Sequence, residues 1–169
     1  MRTIIAGVDG SDVDDSLSAL LNARLAQDAP ITAARVVVED LGGDPLAVAH
    51  RLDEEWPRFD RVIFVGAVAR ERPAGTVSAY RWNGDPNGAT EDLAAFDSTL
   101  LAVRQLADVP DHVIVVEVEP DGYETTGPMS SALVAGLERA RTLLRRLATN
   151  GRAAADLPST ALGGVRTPD

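Results

Sequence analysis

Arg61-Val62-Ile63-Phe64-Val65-Gly66 and Thr76-Val77-Ser78-Ala79-Tyr80-Arg81-Trp82 are the two stretches that decide the fold. The first is a near-continuous apolar run, the pattern of a strand buried on both faces in a parallel α/β sheet. The second alternates polar and apolar side chains, as a half-exposed strand does. Only Ala67 to Gly75 lies between them. A parallel crossover needs about a dozen residues or more, so 76–82 is expected to run antiparallel to a neighbour or to sit at a sheet edge.

Outward from this pair the pattern alternates. Ile4 to Val8, Ala33 to Glu39 and His112 to Val118 read as strands rich in β-branched residues. Asp14 to Gln27, Leu46 to about Glu55, Glu91 to Ala107 and Ser130 to Ala148 carry apolar residues at helical spacing. Pro30 reads as the marker beyond the first helix. The order β-α-β-α-β-β-α-β-α predicts a three-layer α/β/α sandwich with a mostly parallel sheet and one antiparallel strand. One domain is expected over residues 1–149. Residues 150–169, rich in Gly, Pro and Ala without periodicity, read as a flexible tail.

Composition narrows the chemistry. The 169 residues hold 26 acidic and 16 basic side chains, for a net charge of −10, and every basic residue is arginine. The acidic balance argues against nucleic acid as a partner. The chain has no cysteine, so disulfides, thiolate metal sites and cysteine nucleophiles are excluded. Without lysine there is neither Schiff-base chemistry nor a Walker-type phosphate lysine. No apolar run reaches the roughly 18 residues that span a bilayer, and no signal-peptide pattern opens the chain. A cytoplasmic protein without a membrane partner is expected.

Candidate sites are few. Asp9, Asp12, Asp14 and Asp15 crowd the junction between the first strand and the first helix. They fit a divalent-cation or metal-sensing site at the C-terminal end of a strand, where open α/β sheets bind ligands. They fit helix capping and dipole complementarity as well. Asp15 and Asp92 form the carboxylate pair suited to acid–base work. His50 and His112 have no second histidine at ligand spacing. No G-x-S-x-G elbow occurs. Tyr80 and Trp82, two apart on one strand, share a face that suits either protein docking or packing beneath a loop.

Two family resemblances follow. Ile4-Ile5-Ala6-Gly7-Val8-Asp9-Gly10-Ser11 resembles the opening strand of the universal stress proteins, many of which bind a nucleotide, but Gly66 is followed by Ala67-Val68-Ala69-Arg70, without the glycine spacing of a phosphate loop. From residue 1 to about 147 the chain resembles the hydrogenase maturation proteases. The resemblance is carried by Arg61 to Val68 followed by Pro73-Ala74-Gly75-Thr76-Val77, by Val113 to Pro120 after a helix, and by Gly127-Pro128-Met129-Ser130 at the entry to the last helix.

That second resemblance implies a metal-dependent endopeptidase that trims the C-terminus of a [NiFe] hydrogenase large subunit after nickel insertion. It implies no firmly bound cofactor; the nickel is sensed on the substrate. Three side chains sense it: an acidic residue in the first helix, an aspartate ending the third strand and a histidine opening the third helix. These positions fall on Asp15 (with Asp14 as neighbour), on Gly66, and on Asp92 or the adjacent Glu91. One oxygen donor is kept, the histidine is exchanged for a carboxylate, and Gly66 vacates the middle position. Imidazole suits nickel, whereas carboxylates suit harder ions. No catalytic residue is assigned. The expectations are a maturation protease with reduced or lost activity, a non-catalytic partner-binding or chaperone-like relative in hydrogenase maturation, or a nucleotide-binding stress-type protein.

Overall fold

A computed structural model describes residues 1–9, 16–34, 36–54, 58–85, 94–122 and 128–162. In chain order the elements are β1 (Thr3–Gly7), α1 (Ser16–Ala26), α2 (Ala29–Ala33), β2 (Val37–Asp40), α3 (Pro45–Glu54), β3 (Arg61–Ala67), β4 (Val77–Trp82), α4 (Ala95–Leu106), β5 (His112–Val118), α5 (Ser131–Thr149), α6 (Gly151–Ala155) and β6 (Ser159–Thr160). The sheet order is β2-β1-β3-β5-β4-β6. Strands β2, β1, β3 and β5 are parallel. As the short 67–75 connection requires, β4 is antiparallel to β5, with Val77 opposite Val118 and Tyr80 opposite Val115.

Every residue of β1 and β3 is buried, because helices cover both faces. On one face Ile5, Ile63, Val65, Ile114 and Val116 meet Leu17, Leu21 and Leu25 of α1 and Leu137 and Leu144 of α5. On the other, Ile4, Val62, Phe64 and Val115 meet Val48 and Leu52 of α3 and Phe96, Leu100 and Val103 of α4. Fully burying each such side chain contributes about 1.5–3 kcal/mol. The three-layer sandwich is therefore the arrangement that removes both faces of the apolar strands from water.

Pro30 lies beyond α1, as expected, but in the first turn of the short helix α2, where its missing N–H costs nothing. The structure differs from the sequence reading in that Ala33, expected to open the second strand, ends this helix, and β2 begins at Val37. Residues after Asn150 are not a tail throughout. Strand β6 runs parallel to β4, with Arg81 beside Ser159 and Trp82 beside Thr160; Ala154 and Leu162 are buried. The physical reason is the open edge of β4, whose backbone N–H groups at Arg81 and Asn83 donate to Pro158 O and Thr160 O at 2.8 and 3.1 Å. Residues 163–169 of the expected tail lie outside the described residues.

The loop between β3 and β4 is held tightly. Gly75, at φ +77°, packs so close to α5 that a Cβ there would lie 2.1 Å from Ala132 O. Glu71 also takes a left-handed φ of 60°, which strains a residue bearing a Cβ. It is exposed, so Glu71→Gly is expected to stabilise the fold by about 0.5–1 kcal/mol, read as a higher urea midpoint with an unchanged slope. An unchanged or lower midpoint would mean that the Glu71 side chain compensates for its backbone.

Candidate functional site

Strand order reverses between β1 and β3: the chain moves outward from β1 to β2 on one side and to β3 on the other. In open α/β sheets the crevice beyond the C-terminal strand ends at such a point is where ligands bind. Val8 N donates to Val65 O at 2.9 Å across it. The acidic junction read from sequence, Asp12, Asp14 and Asp15, and the pair Glu91 and Asp92 lie outside the described residues, as do Trp56 and Tyr123. Gly66 lies inside them, at the C-terminal end of β3 and directly beside Glu117 of β5.

Gly66, the position at which the resemblance expects a ligand, is closely packed. A Cβ built there would stand 2.5 and 2.7 Å from Cε2 and Cδ2 of Phe96 and 2.8 Å from Val8 O. Phe96 is 1% exposed. The aromatic ring from the start of α4 thus fills the space that a strand-end side chain would take. This is a fit between a missing side chain and a bulky one, and neither position shows it alone.

Next to this ring lies a buried ionic cluster that the sequence reading did not assemble. Arg70, in the β3–β4 loop, donates from Nη1 and Nη2 to Asp97 Oδ2 and Oδ1, each at 2.7 Å. The same guanidinium reaches Glu117, from Nη2 to Oε1 at 2.7 Å and from Nε to Oε2 at 3.3 Å. Tyr80 OH donates to Glu117 Oε1 at 2.8 Å. The side chains of Asp97 and Glu117 are 1% and 3% exposed, against 14% for Arg70. Burial works against the Arg70 charge, and the hydrogen bonds and attraction of Asp97 and Glu117 outweigh it, raising its pKa above the ordinary arginine value. One planar fork satisfies two carboxylates, a geometry that lysine could not provide. A clue was present in the sequence: Glu117 is the one charged residue inside the apolar run Val113 to Val118. A carboxylate in a strand buried on both faces needs a partner.

Glu119 closes the lower side of the cluster. It is 6% exposed, and both its oxygens accept from Arg70 N at 2.9 Å. Burial raises its pKa from the usual 4.5, against hydrogen bonds from the Arg70 and Arg72 backbone and the charge of Arg72, with Glu117 adding to the rise. A raised folded pKa means that the folded state holds the proton more tightly. The stability so gained is fully present below about pH 4.5 and is lost as pH rises through the elevated value. Glu119→Gln is therefore expected to gain stability relative to the parent as pH increases from 4.5 toward neutral, measured by urea denaturation across that range. A parallel pH dependence in the two proteins would show that Glu119 does not titrate with folding.

The remaining sequence candidates separate from this region. His50 is exposed on α3, 3.3 Å from Glu54, and His112 is exposed at the opposite end of the sheet. Tyr80 and Trp82 are 1% and 4% exposed, so of the two uses open to that face, packing is the one found. Among the described residues no three His, Asp or Glu side chains converge to hold a metal ion, and no helix is long and apolar enough to cross a membrane.

This chain, with its mostly parallel six-stranded sheet and one antiparallel pair between helices, has the hydrogenase maturation protease fold. A solution structure of an endopeptidase from Escherichia coli superposes with a TM-score of 0.67 at 18% identity, covering 98% of this chain and 100% of that one. The hydrogenase maturating endopeptidase HybD from E. coli gives 0.61 at 18% identity, over 89% and 94% of the two chains. The [NiFe] hydrogenase maturation protease HycI from Thermococcus kodakarensis gives 0.58 at 17% identity, over 88% and 93%. No family model and no curated protein matches the sequence.

Proposed function

We propose that the chain is a maturation-protease-like protein that engages the C-terminal region of a [NiFe] hydrogenase large subunit. In this reading its recognition of nickel at the β3 end has closed, and it cleaves poorly if at all. The fold supports the substrate class, because the superposable structures include endopeptidases named for hydrogenase maturation. The observation that carries the loss of nickel reading is the Phe96 ring, 2.5 Å from where a Cβ on Gly66 would stand. Nickel here is cargo of the substrate. Gly66 offers it no side-chain donor, and the carboxylate of Glu117, opposite Gly66 in the sheet, is bound to Arg70. Asp15, with Asp14 beside it, and Asp92 supply the oxygen donors that the reading still allows, a set that suits harder ions better than nickel.

The test is incubation of the purified chain with a nickel-loaded large-subunit precursor. Size-exclusion chromatography is expected to show a complex, and mass spectrometry an intact C-terminal extension. Complex formation should be the same with nickel-free precursor. Complete removal of the extension, arrested by omitting nickel, would establish an active peptidase and overturn the proposal. Absence of any complex would overturn the partner assignment.

A further inference from the structure

The opposite end of the sheet, away from Gly66 and Arg70, holds a cavity of about 400 Å³. This is within the range of about 300–1,000 Å³ usual for small-molecule sites. It forms where β3 and β5 begin, at Arg61 and His112, and where antiparallel β4 ends, at Trp82 and Asn83. Three guanidinium groups line it, from Arg61, Arg81 and Arg104, against one carboxylate, from Asp111. In a chain of net charge −10 that is a local reversal of sign. None of the three arginines makes an ion pair among the described residues, although carboxylates outnumber arginines in the sequence.

Arg61 makes the strongest case. It is 5% exposed, its Nη1 donates to Leu147 O at 2.9 Å, and its Nε is buried with no acceptor. Arginine is rarely this buried without a counter-ion, and an orphaned buried donor is costly. Burial pushes its pKa below the ordinary arginine value, and a counter-charge in the cavity that Arg61 lines would offset that burial through space. Arg104 places its Cζ over the Trp82 ring, 5.1 Å from the centroid, a cation–π contact that restrains the guanidinium without using its N–H donors. Arg81 is fixed by Nε donating to Leu157 O at 3.1 Å.

We propose that this cavity binds a small doubly charged oxyanion, a phosphomonoester or a dicarboxylate, between Arg61, Arg81 and Arg104. Planar guanidinium forks match the oxygens of both groups. The site is separate from the peptidase-type crevice, so its fate does not depend on the hydrogenase reading.

Isothermal titration of the full chain with inorganic phosphate and, separately, with malonate, at constant ionic strength, tests this. One-to-one saturable binding of at least one anion is expected, and which anion binds identifies the class. Arg104→Gln should weaken it about tenfold, and Arg81→Gln in the same chain should weaken it further. Both residues are exposed, so the fold survives their loss. Arg104→Lys, which keeps the charge without the fork, should fall between. Because the chain has two tryptophans, Trp56→Phe leaves Trp82 as the sole indole, and its fluorescence should change along the same isotherm. No saturable binding of either anion, or affinity unchanged in the Arg81→Gln/Arg104→Gln chain, would overturn the proposal.

Discussion

Arg70→Met should cost about 3–5 kcal/mol of stability at neutral pH, the range for removing one partner of a buried ion pair. The cost comes from what is left behind. Asp97 and Glu117 are 1% and 3% exposed at their side chains, and without the guanidinium two carboxylates would face each other in an apolar surround. Tyr80 OH would still donate to Glu117, but a hydroxyl carries no charge to set against the second carboxylate. The origin of the cost is checked by neutralising the carboxylates. Arg70→Met combined with Asp97→Asn and Glu117→Gln should recover most of the lost stability, because buried ion clusters are often replaceable by neutral groups at little net cost. Urea midpoints of the single and triple variants decide it. A single variant within about 1 kcal/mol of the parent, the scale of one surface ion pair, would mean that water replaces the guanidinium and the cluster is not dry. A triple variant as weak as the single one would place the cost in lost packing around Arg70.

The same cluster shows what the sequence made legible and what it did not. The apolar runs 61–66 and 112–118 announced strands buried on both faces, and the nine residues from Ala67 to Gly75 ruled out a crossover, so the antiparallel placement of β4 followed from chain length alone. Periodicity is local, and it is enough to mark elements that local spacing sets. Arg70, Asp97 and Glu117 are 27 and 47 residues apart as ion-pair partners; only the completed sheet brings them together. Glu117 was a visible anomaly without a visible partner. The β6 pairing was missed for a related reason. Two residues, Ser159 and Thr160, carry no period, and their strand exists because β4 offers an unpaired edge. Gly66 was the reverse case. Its missing side chain was plain from the sequence and read as an empty ligand position, but that Phe96 occupies the space is a property of packing between β3 and α4.

That packing sets the outcome of placing at Gly66 the strand-end aspartate that the resemblance implies. Gly66→Asp is expected to destabilise the protein without conferring nickel affinity. The first atom added, Cβ, already falls 2.5 Å from the Phe96 ring and 2.8 Å from Val8 O. The ring can rotate or withdraw, but the β1 backbone at Val8 is held by its hydrogen bond to Val65. Overpacking of a core in this way costs about 1–3 kcal/mol, and a carboxylate placed beside Glu117 adds like-charge repulsion to it. Gly66→Ala isolates the steric part: it should cost about 1–3 kcal/mol in the parent and less in a Phe96→Leu background, because a smaller side chain on α4 gives the methyl group room. Nickel titration then separates space from chemistry. Gly66→Asp alone should bind nickel no better than the parent. With Phe96→Leu and Asp92→His added, the carboxylate gains room and a nitrogen donor suited to nickel is supplied; affinity should rise by about tenfold or more and fall again on Asp15→Ala. If Gly66→Asp alone folds with an unchanged midpoint and binds nickel tightly, Phe96 does not guard the position and the closed-site reading fails. If the combined variant folds and gains nothing, the residue correspondence at Asp15 and Asp92 is misplaced, and the crevice is not a closed form of a nickel-reading site.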